Sequence, residues 1–573
     1  MPSPSEIVTS RLRAAFAAID AAADPVLRDS DHADFQSNGA LALAKRLGRN
    51  PVELANAIIE LAELDGCCDH VEVSGPGFIN ITLSPQFISA ATADLIADTR
   101  LGAAIGSTRQ RVVVDYSAPN VAKEMHVGHL RGTVLGDALC RMLDFLGHEI
   151  VRENHLGDWG TPFGMLIEHL LDIGEEEAIE DLSVGDLTDF YQSARESFES
   201  DEAFRDRARL RVVALQAGDK ETLRLWSVLA EQSIRYFDEV YAKLGVLLTD
   251  DDIAGESFYN SQLNDVVEDL RAKGLLVESE GALCVFPEGF VNRDGEPFPL
   301  IIQKSDEGFG YAATDLAAIR DRVSRLRADR ILYVVGAPQA QHFEMCFAVA
   351  RLAGWLPDRV EVEHVAFGNV LGADHKMLRT RSGESVKLIE LLDEAVDRAL
   401  SAVRDRGQDL SGIEQLEVAR QLGIGAVKYA DLSTERARDY VFDFDRMLAF
   451  EGNTAPYLQY AHARIRSIFR RGSFPAPAPG TVIHVEDPHE RALALSLLAF
   501  PDHLGSSIEA LAPNRLCAYL FSLATTFTGF YENCPILRAE PDLQASRLAL
   551  ADITARSLAL GLSLLGIDAP EQM

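Results

Sequence analysis

Short apolar runs followed by loops and helical patterns limit most strongly what this chain can fold into. Arg111–Asp115 is almost wholly apolar, and a loop and a helical pattern from about Gly128 to Leu146 follow it. Ile331–Val335 is a second run with a helical pattern behind it, and Val360–Phe367 is a third. Runs of this kind are typical of buried parallel strands. Their alternation with helices predicts an α/β, doubly wound nucleotide-binding domain.

The remaining segments differ in character and suggest further domains. Residues 1–108 combine amphipathic helical stretches with alternating strand patterns, as expected of an α+β unit. Residues 170–260 are mostly helical, and 171–200 hold ten Asp/Glu against one Arg, which favours a solvated insertion. From about 385 the chain is helical. We therefore predict domains at 1–108, at 109–384 with an insertion at about 170–300, at 385–450 and at 451–573.

The composition restricts partners and location. With 54 Lys+Arg against 88 Asp+Glu, the 573 residues carry a net charge of −34, which on its own argues against nucleic acid or an anionic membrane as a partner. No apolar run approaches the ~18 residues of a membrane helix, and the N-terminus lacks the pattern of a secretory signal. Seven scattered cysteines without CxxC spacing predict reduced thiols in the cytoplasm and exclude a cysteine-rich zinc site.

The segment Pro119–His129 carries the first chemical motif. It follows a predicted strand and opens a predicted helix, whose N-terminus offers free N–H groups to phosphate. His126 and His129 can face one ligand from a single turn, Gly128 lets a base or ribose approach the backbone, and Lys123 adds a cation. Together they suit a triphosphate and its transfer chemistry. Two alternatives are half a zinc site, for which no further ligands stand at suitable spacing, and a plain helix cap.

A glycine-rich, cationic loop is the second motif. It runs over residues 368–383 after the third predicted strand and contains Lys376, Arg379 and Arg381. Such a loop could close over a pyrophosphate leaving group, although basic loops are commonly just solvated.

The third motif is a phenol and a carboxylate on one helical face. Tyr311 and Asp315 are four residues apart at the start of a predicted helix, so they can hold a cationic ligand, with bidentate pairing if it is a guanidinium. The alternative is an N-terminal Asp that stabilises the helix dipole.

The order of these motifs resembles the two signatures of class I aminoacyl-tRNA synthetases. Val114–Arg131, with its Asp-Tyr-Ser-Ala-Pro-Asn-Val-Ala-Lys-Glu-Met-His-Val-Gly-His core, closely resembles the arginyl-tRNA synthetase family. So do His155–Gly160, Tyr429–Ser433 and Phe450–Arg464, in the family's order over nearly the whole chain. The resemblance implies a Rossmann-like catalytic domain with helical insertions, an N-terminal α+β domain at the tRNA elbow, a helical stem-contact region at 385–450 and an all-α anticodon-binding domain.

The resemblance also implies a reaction and roles for residues. Arginine would be activated with ATP to arginyl-adenylate, releasing pyrophosphate, and passed to the terminal ribose of tRNA-Arg. Mg²⁺ would accompany ATP, with no metal held by the protein, and the enzyme would act as a monomer. The implied ATP contacts are His126, Gly128, His129, Gly368 and Val370. The implied arginine contacts are Asp115, Asn120, Tyr311, Asp315 and Gln339. The implied catalytic side chains are Lys123, His126, His129, Lys376 and Arg379.

Two positions depart from the family's pattern. The second signature is usually Lys-Met-Ser-Lys-Ser, whereas this chain has Lys376-Met-Leu-Arg-Thr380, so Arg379 keeps the charge of the second lysine. In members without the full signature, a lysine just ahead of the first signature is thought to compensate, and Lys123 stands there. Ala118 occupies a position where some members use Ser.

The charge map reconciles the acidic total with an RNA partner. Residues 451–573 contain nine Arg and no Lys against twelve Asp/Glu, a net of −3, so the first 450 residues hold −31. Cations interleaved with aromatics suit phosphate contact and base stacking, although any single arginine here could lie on an ordinary exposed face. The tRNA-binding candidates in this region are Tyr457, Tyr460, Arg464, Arg466 and Arg470. One rival interpretation of the chain is a non-catalytic synthetase-like binding protein. Another is a small nucleotidyltransferase, and the chain length disfavours this second one.

Overall fold

The structure is a computed structural model that describes residues 2–106, 108–160, 162–175, 187–305, 308–379, 385–406 and 410–573. The chain divides into two compact units. The first comprises residues 1–105, 403–421 and 449–573, and the second comprises 106–402 and 422–448. Among the described helices, none combines the length and apolar character that crossing a bilayer requires.

The N-terminal part of the first unit packs helices on an antiparallel sheet. Its helices are α1 Pro4–Ile19, α2 Gly39–Leu47, α3 Pro51–Leu61 and α4 Pro85–Asp94. Its strands are β1 Leu27–Asp29, β2 Phe35–Ser37, β3 Cys68–Ser74 and β4 Phe78–Leu83, in the order β1-β2-β4-β3. Helix α1 begins at Pro4 because Ser3 and Glu6 form a capping box, with Pro4 in the first turn.

The parallel sheet of the second unit positions the site. Its strands are β5 Arg111–Asp115, β6 Glu149–Glu153, β10 Arg330–Tyr333 and β11 Glu361–His364, in the order β11-β10-β5-β6. Helix α5, Val127–Phe145, connects β5 to β6, and helix α12, Ala340–Leu352, connects β10 to β11. The two crossovers leave the β5–β10 pair in opposite directions along the sheet. Ligands of doubly wound folds bind at the carboxyl ends of strands at such a switch point.

Further helices and two small sheets complete the chain between residues 162 and 448. The strands of a three-stranded antiparallel sheet are β7 Val277–Ser279, β8 Ala282–Val285 and β9 Leu300–Gln303, and β12 Val370–Leu371 pairs in parallel with β13 Tyr440–Val441. The helices before β7 are α6 Pro162–Ile173, α7 Leu187–Ser200, α8 Glu202–Gln216, α9 Lys220–Leu244 and α10 Asn260–Ala272. The later ones are α11 Tyr311–Ser324, α13 Leu388–Arg406, α14 Gly412–Leu432 and α15 Phe444–Met447. Part of the acidic run, 176–186, lies outside the described residues.

The C-terminal part of the first unit is helical throughout its regular elements. Its helices are α16 Ala455–Gly472, α17 Pro488–Leu498, α18 Phe500–Glu509, α19 Asn514–Asn533 and α20 Pro541–Leu564. Within this unit the N-terminal and C-terminal parts are joined by partly buried polar contacts. Arg491 donates to Asp34 Oδ2 at 2.7 Å and to the Leu83 carbonyl at 3.0 Å, and Ser3 Oγ donates to Asp502 at 2.7 Å.

Candidate active site

The loop after β5 is held in a strained conformation at the switch point. Ser117, Ala118 and Ala122 have φ of 74°, 47° and 60°, a region that non-glycine residues rarely occupy. Hydrogen bonds offset this cost: the Ala118 N–H donates to Asn154 Oδ1 at 3.1 Å, and Ser117 Oγ lies 2.8 Å from the Tyr241 hydroxyl. These hydrogen bonds hold the backbone of the loop in this conformation.

Two histidines shape the N-terminus of α5. His126 is the N-cap, and its Nδ1 accepts from the Gly128 N–H at 3.0 Å, while His129 Nδ1 accepts from the His126 N–H at 3.1 Å. Their ring centroids are 4.2 Å apart. A Cβ on Gly128 would lie 2.7 Å from His126 Cε1, so only glycine leaves the rings in place. The residues that cap the helix are therefore the same two histidines that the sequence predicts as ATP contacts.

Both histidines are kept neutral. Burial, followed by the charge of nearby Lys123, lowers the pKa of His126. Burial and then the neighbouring His126 lower the pKa of His129 to about 3. At neutral pH the pair therefore offers hydrogen bonds, and the positive charge comes from Lys123 and the helix N-terminus. The Lys123 ammonium lies 4.4 Å from the ring centroid of Tyr191, on α7 of the insertion.

Carboxyl groups and a phenol lie close together near the start of α11, and this group of side chains is called the pocket below. Tyr311 begins the helix and is 74% exposed, and Asp315 lies one turn later, as the spacing predicts. Asp315 Oδ2 is 2.6 Å from His342 Nε2 on α12. Burial opposes a positive charge on His342, but the hydrogen bond and charge of Asp315 outweigh it, so the pKa of His342 is raised.

Glu256 is a member of this pocket that the sequence did not single out. It lies in the short 3₁₀ helix Glu256–Tyr259, and burial raises its pKa to about 8, with the carboxylates of Asp158 and Asp315 acting in the same direction. Asp158 belongs to the motif His155–Gly160 and accepts from the Ser257 N–H at 2.8 Å and the Ser257 hydroxyl at 2.6 Å. The signal that could have found Glu256 is this motif, since Asp158 anchors the Glu256 turn.

The other predicted arginine contacts lie near the carboxyl ends of the parallel strands. Asp115 ends β5, is 5% exposed, and its Oδ2 accepts from Arg322 Nη2 at 2.8 Å. Its Oδ1 is buried with no hydrogen-bond partner among the described residues. Asn120 is exposed and forms a bridge with Gly157, where a Cβ would lie 2.2 Å from Asn120 Oδ1. Gln339, also exposed, precedes α12.

The cationic loop folds back on itself near β12. The Gly372 N–H donates to the Lys376 carbonyl at 2.8 Å, and Leu371 and Met377 form an antiparallel bridge. Residues 372–374 and 376–379 line a cleft of about 610 Å³. Lys376 and Arg379 are exposed, whereas Thr380 and Arg381 lie outside the described residues.

Gly368 and Val370, the ATP contacts predicted near this loop, sit at the base of it. Val370 is paired with Tyr440 across β12 and β13, and a Cβ on Gly368 would lie 2.7 Å from the carbonyl carbon of Arg438.

The predicted tRNA contacts are all on α16 in the first unit, but they differ in what they contact. Arg464 lies over the ring of Tyr531 at 4.3 Å, and Arg466 donates to Asp552 at 2.9 Å. Arg470 donates to the Glu571 carbonyl at 2.6 Å and is exposed, as is Tyr460, whereas Tyr457 packs on Phe521 with centroids 5.6 Å apart. The Arg466 side chain is 23% exposed, so a large part of it serves the packing of the unit.

Comparison with known proteins places this fold and site in the class I aminoacyl-tRNA synthetases. The family model for the tRNA synthetases class I (R) catalytic domain matches residues 91–444, the arginyl tRNA synthetase N terminal domain matches 5–83, and the DALR anticodon binding domain matches 458–573. The chain belongs to the arginyl-tRNA synthetase family. This confirms the resemblance, the fold class and the enzyme class that the sequence predicts.

Individual relatives are similar to this protein over nearly the whole chain. An arginine–tRNA ligase of Thermobifida fusca is 58% identical over 568 residues, covering 99% of this chain and 98% of the relative. One of Frankia casuarinae is 51% identical over 561 residues, covering 96% and 95%. The crystal structure of the arginyl-tRNA synthetase of Plasmodium falciparum is similar with a TM-score of 0.87 at 30% identity, covering 100% of both chains.

Proposed function

We propose that this enzyme activates arginine with ATP and transfers it to tRNA-Arg. The observation that carries the proposal is the placement of two sites at one edge of the parallel sheet. The N-terminus of α5, with His126 and His129, suits the phosphates of ATP. The pocket of Glu256, Tyr311 and Asp315 suits a guanidinium with its five donors.

The first step joins the two substrates. An arginine carboxylate oxygen attacks the α-phosphorus of ATP, the bond to the β-phosphate breaks, and pyrophosphate leaves. The neutral histidines donate hydrogen bonds to the phosphoryl oxygens as charge develops on them, the positive end of the helix dipole stabilises the same charge, and Gly128 admits the nucleoside. Lys123, Lys376 and Arg379 stabilise the departing pyrophosphate, while Gly368 and Val370 support the nucleoside. Mg²⁺ enters with ATP as part of the substrate, held mainly by phosphate oxygens.

Recognition of arginine rests on charge and on pairing its donors with carboxylate acceptors. Asp315 and Glu256 hold the guanidinium beside Tyr311, and Asn120, Gln339 and the unpartnered oxygen of Asp115 receive the α-amino end. An uncharged analogue such as citrulline would leave carboxylates without a cation in a half-buried pocket, and this mismatch supplies discrimination.

The second step attacks the adenylate. A hydroxyl of the terminal ribose of tRNA-Arg attacks the arginyl carbonyl carbon, and AMP leaves. The proposed tRNA surface is α16, with Tyr457, Tyr460, Arg464 and Arg470 facing the RNA. Arg466 stabilises the helix through its hydrogen bond to Asp552. The proposal takes a single chain as the active unit and the cytoplasm as its location. All seven cysteines are free thiols, which supports a reducing compartment.

Pyrophosphate exchange tests the proposal. We expect arginine-dependent exchange in the presence of tRNA-Arg, and Asp315→Ala should raise the arginine KM by 10-fold or more (~10-fold per 1.4 kcal/mol of lost binding) with little change in the ATP KM. Absence of exchange with arginine and cognate tRNA would reject the proposed reaction. Equal losses of apparent affinity for arginine and ATP would reject only the role assigned to Asp315, not the proposed reaction. Asp358→Ala, at an exposed turn, is the matched control.

A further inference from the structure

A second cluster of metal-ligating side chains lies in the helical part of the first unit. Asp487 is the N-cap of α17, His489 is in its first turn, and Cys534 caps the C-terminal end of α19. One ligand atom from each residue lies within 4.8 Å of the other two. The two helices pack against each other, so residues 45 positions apart are brought together by the tertiary structure.

The distances suit a small tetrahedral ion. Asp487 Oδ1 and His489 Nδ1 are 3.1 Å apart. Two oxygen or nitrogen ligands at about 2.0–2.1 Å from a tetrahedral zinc ion are roughly 3.3–3.4 Å apart, so a few tenths of an ångström separate the observed pair from that geometry. The thiol of Cys534 is hydrogen-bonded to Asp487.

Burial and charge also favour a metal. Cys534 is fully buried, whereas the side chains of His489 and Asp487 are 44% and 38% exposed. The cluster is therefore accessible to solvent from the side of His489 and Asp487. Glu490, a carboxylate near Cys534, accepts from Arg547 at 2.7 Å. A divalent ion on one thiolate, one carboxylate and one neutral imidazole would leave a site of zero net charge.

We propose that Asp487, His489 and Cys534 form a binding site for Zn²⁺ or a similar thiophilic divalent ion, with water as the fourth ligand. Binding replaces the thiol proton, which is released to solvent, and shifts the His489 proton from Nδ1 to Nε2, so one proton leaves per ion. The carboxylate is already ionised and loses none. The ion then ties the start of α17 to the end of α19.

Cobalt spectroscopy on the full chain, stripped of metal with a chelator, tests the site. We expect one Co²⁺ per chain with a thiolate-to-metal charge-transfer band that Zn²⁺ abolishes. Cys534→Ser should remove the band, and His489→Gln should weaken Co²⁺ binding by at least about 10-fold because one of three protein ligands is lost. His484→Gln, a neighbouring histidine outside the cluster, should change nothing.

Two results would overturn the inference. One is the absence of a thiolate band in the unmodified chain. The other is a band that persists in Cys534→Ser and disappears in Cys346→Ser, since Asp315, His342 and Cys346 form a comparable triad in the active site. His489 is partly exposed, so His489→Gln keeps the test informative even if Cys534→Ser fails to fold. The measurement does not depend on aminoacylation.

Discussion

His342 Nε2 and Asp315 Oδ2 are 2.6 Å apart, which joins helix α12 to the second turn of α11. The pairing fixes the carboxylate proposed to receive the guanidinium, and it does so with a titratable partner. When His342 is protonated it competes with the substrate cation for Asp315. When it is neutral it orients the carboxylate without compensating its charge.

The first prediction concerns the pH dependence of arginine binding through His342. Its pKa is raised, so as pH falls through that value His342 gains a proton and arginine binding weakens. His342→Asn keeps a donor to Asp315 but cannot titrate, and should flatten this part of the profile. The measurement is the arginine KM in pyrophosphate exchange between about pH 6 and 8.5. An unchanged profile in the variant would show that the titration belongs elsewhere.

A second prediction concerns proton release from Glu256. Because its pKa is raised to about 8, this carboxyl is largely protonated at pH 7, and a bound guanidinium favours the ionised form. Arginine affinity should therefore rise with pH, by up to about 10-fold per unit below pH 8, with about one proton released per arginine. Calorimetry in two buffers of different ionisation heat measures this release.

Glu256→Gln should abolish that proton release and weaken arginine binding, whereas Glu278→Gln, at an exposed position on β7, should leave both unchanged. Undiminished proton release in Glu256→Gln would contradict the assignment of Glu256 to the pocket.

The third prediction concerns Gly128. Alanine there would bring a Cβ to 2.7 Å from His126 Cε1 and displace the ring from the helix N-terminus. A displacement of about 1 Å at a catalytic group costs on the order of 100-fold in rate, so pyrophosphate exchange should fall by about that factor. Gly505→Ala, where nothing lies within 4 Å of the added methyl, is the control and should be fully active. Near-normal activity of Gly128→Ala would reject the proposed role of this turn.

The fourth prediction concerns the link between the two parts of the first unit. Arg556 on α20 donates to the carbonyls of Leu95, Ile96 and Asp98, just beyond α4. Arg556→Met would remove these three hydrogen bonds, although the Leu95 and Asp98 carbonyls still accept from the backbone N–H groups of Asp98 and Leu101. The free energy of unfolding of this unit should fall by about 1–3 kcal/mol. Urea unfolding measures the loss, with Arg515→Met, at an exposed guanidinium, as the control. Equal effects of both variants would argue against a linking role.

Local patterns were sufficient for the elements that bound the active site. The strand predicted at Arg111–Asp115 is confirmed to the residue, because a short apolar run between charged residues marks its ends. The third predicted parallel strand, Val360–Phe367, is shorter in the structure. It is limited to Glu361–His364, because only this stretch pairs with β10. The domain boundaries and the roles of individual site residues stay predictions.

By itself the sequence determined the family, the α/β class and the residues of the two signatures, because these depend on residue type and spacing within one element. The tertiary structure decided the pairing of Asp315 with His342, the occupation of one Asp115 oxygen by Arg322 and the raised pKa of Glu256. Each depends on burial and on a partner far along the chain. Desolvation and charge act through space, so no spacing along the sequence predicts them.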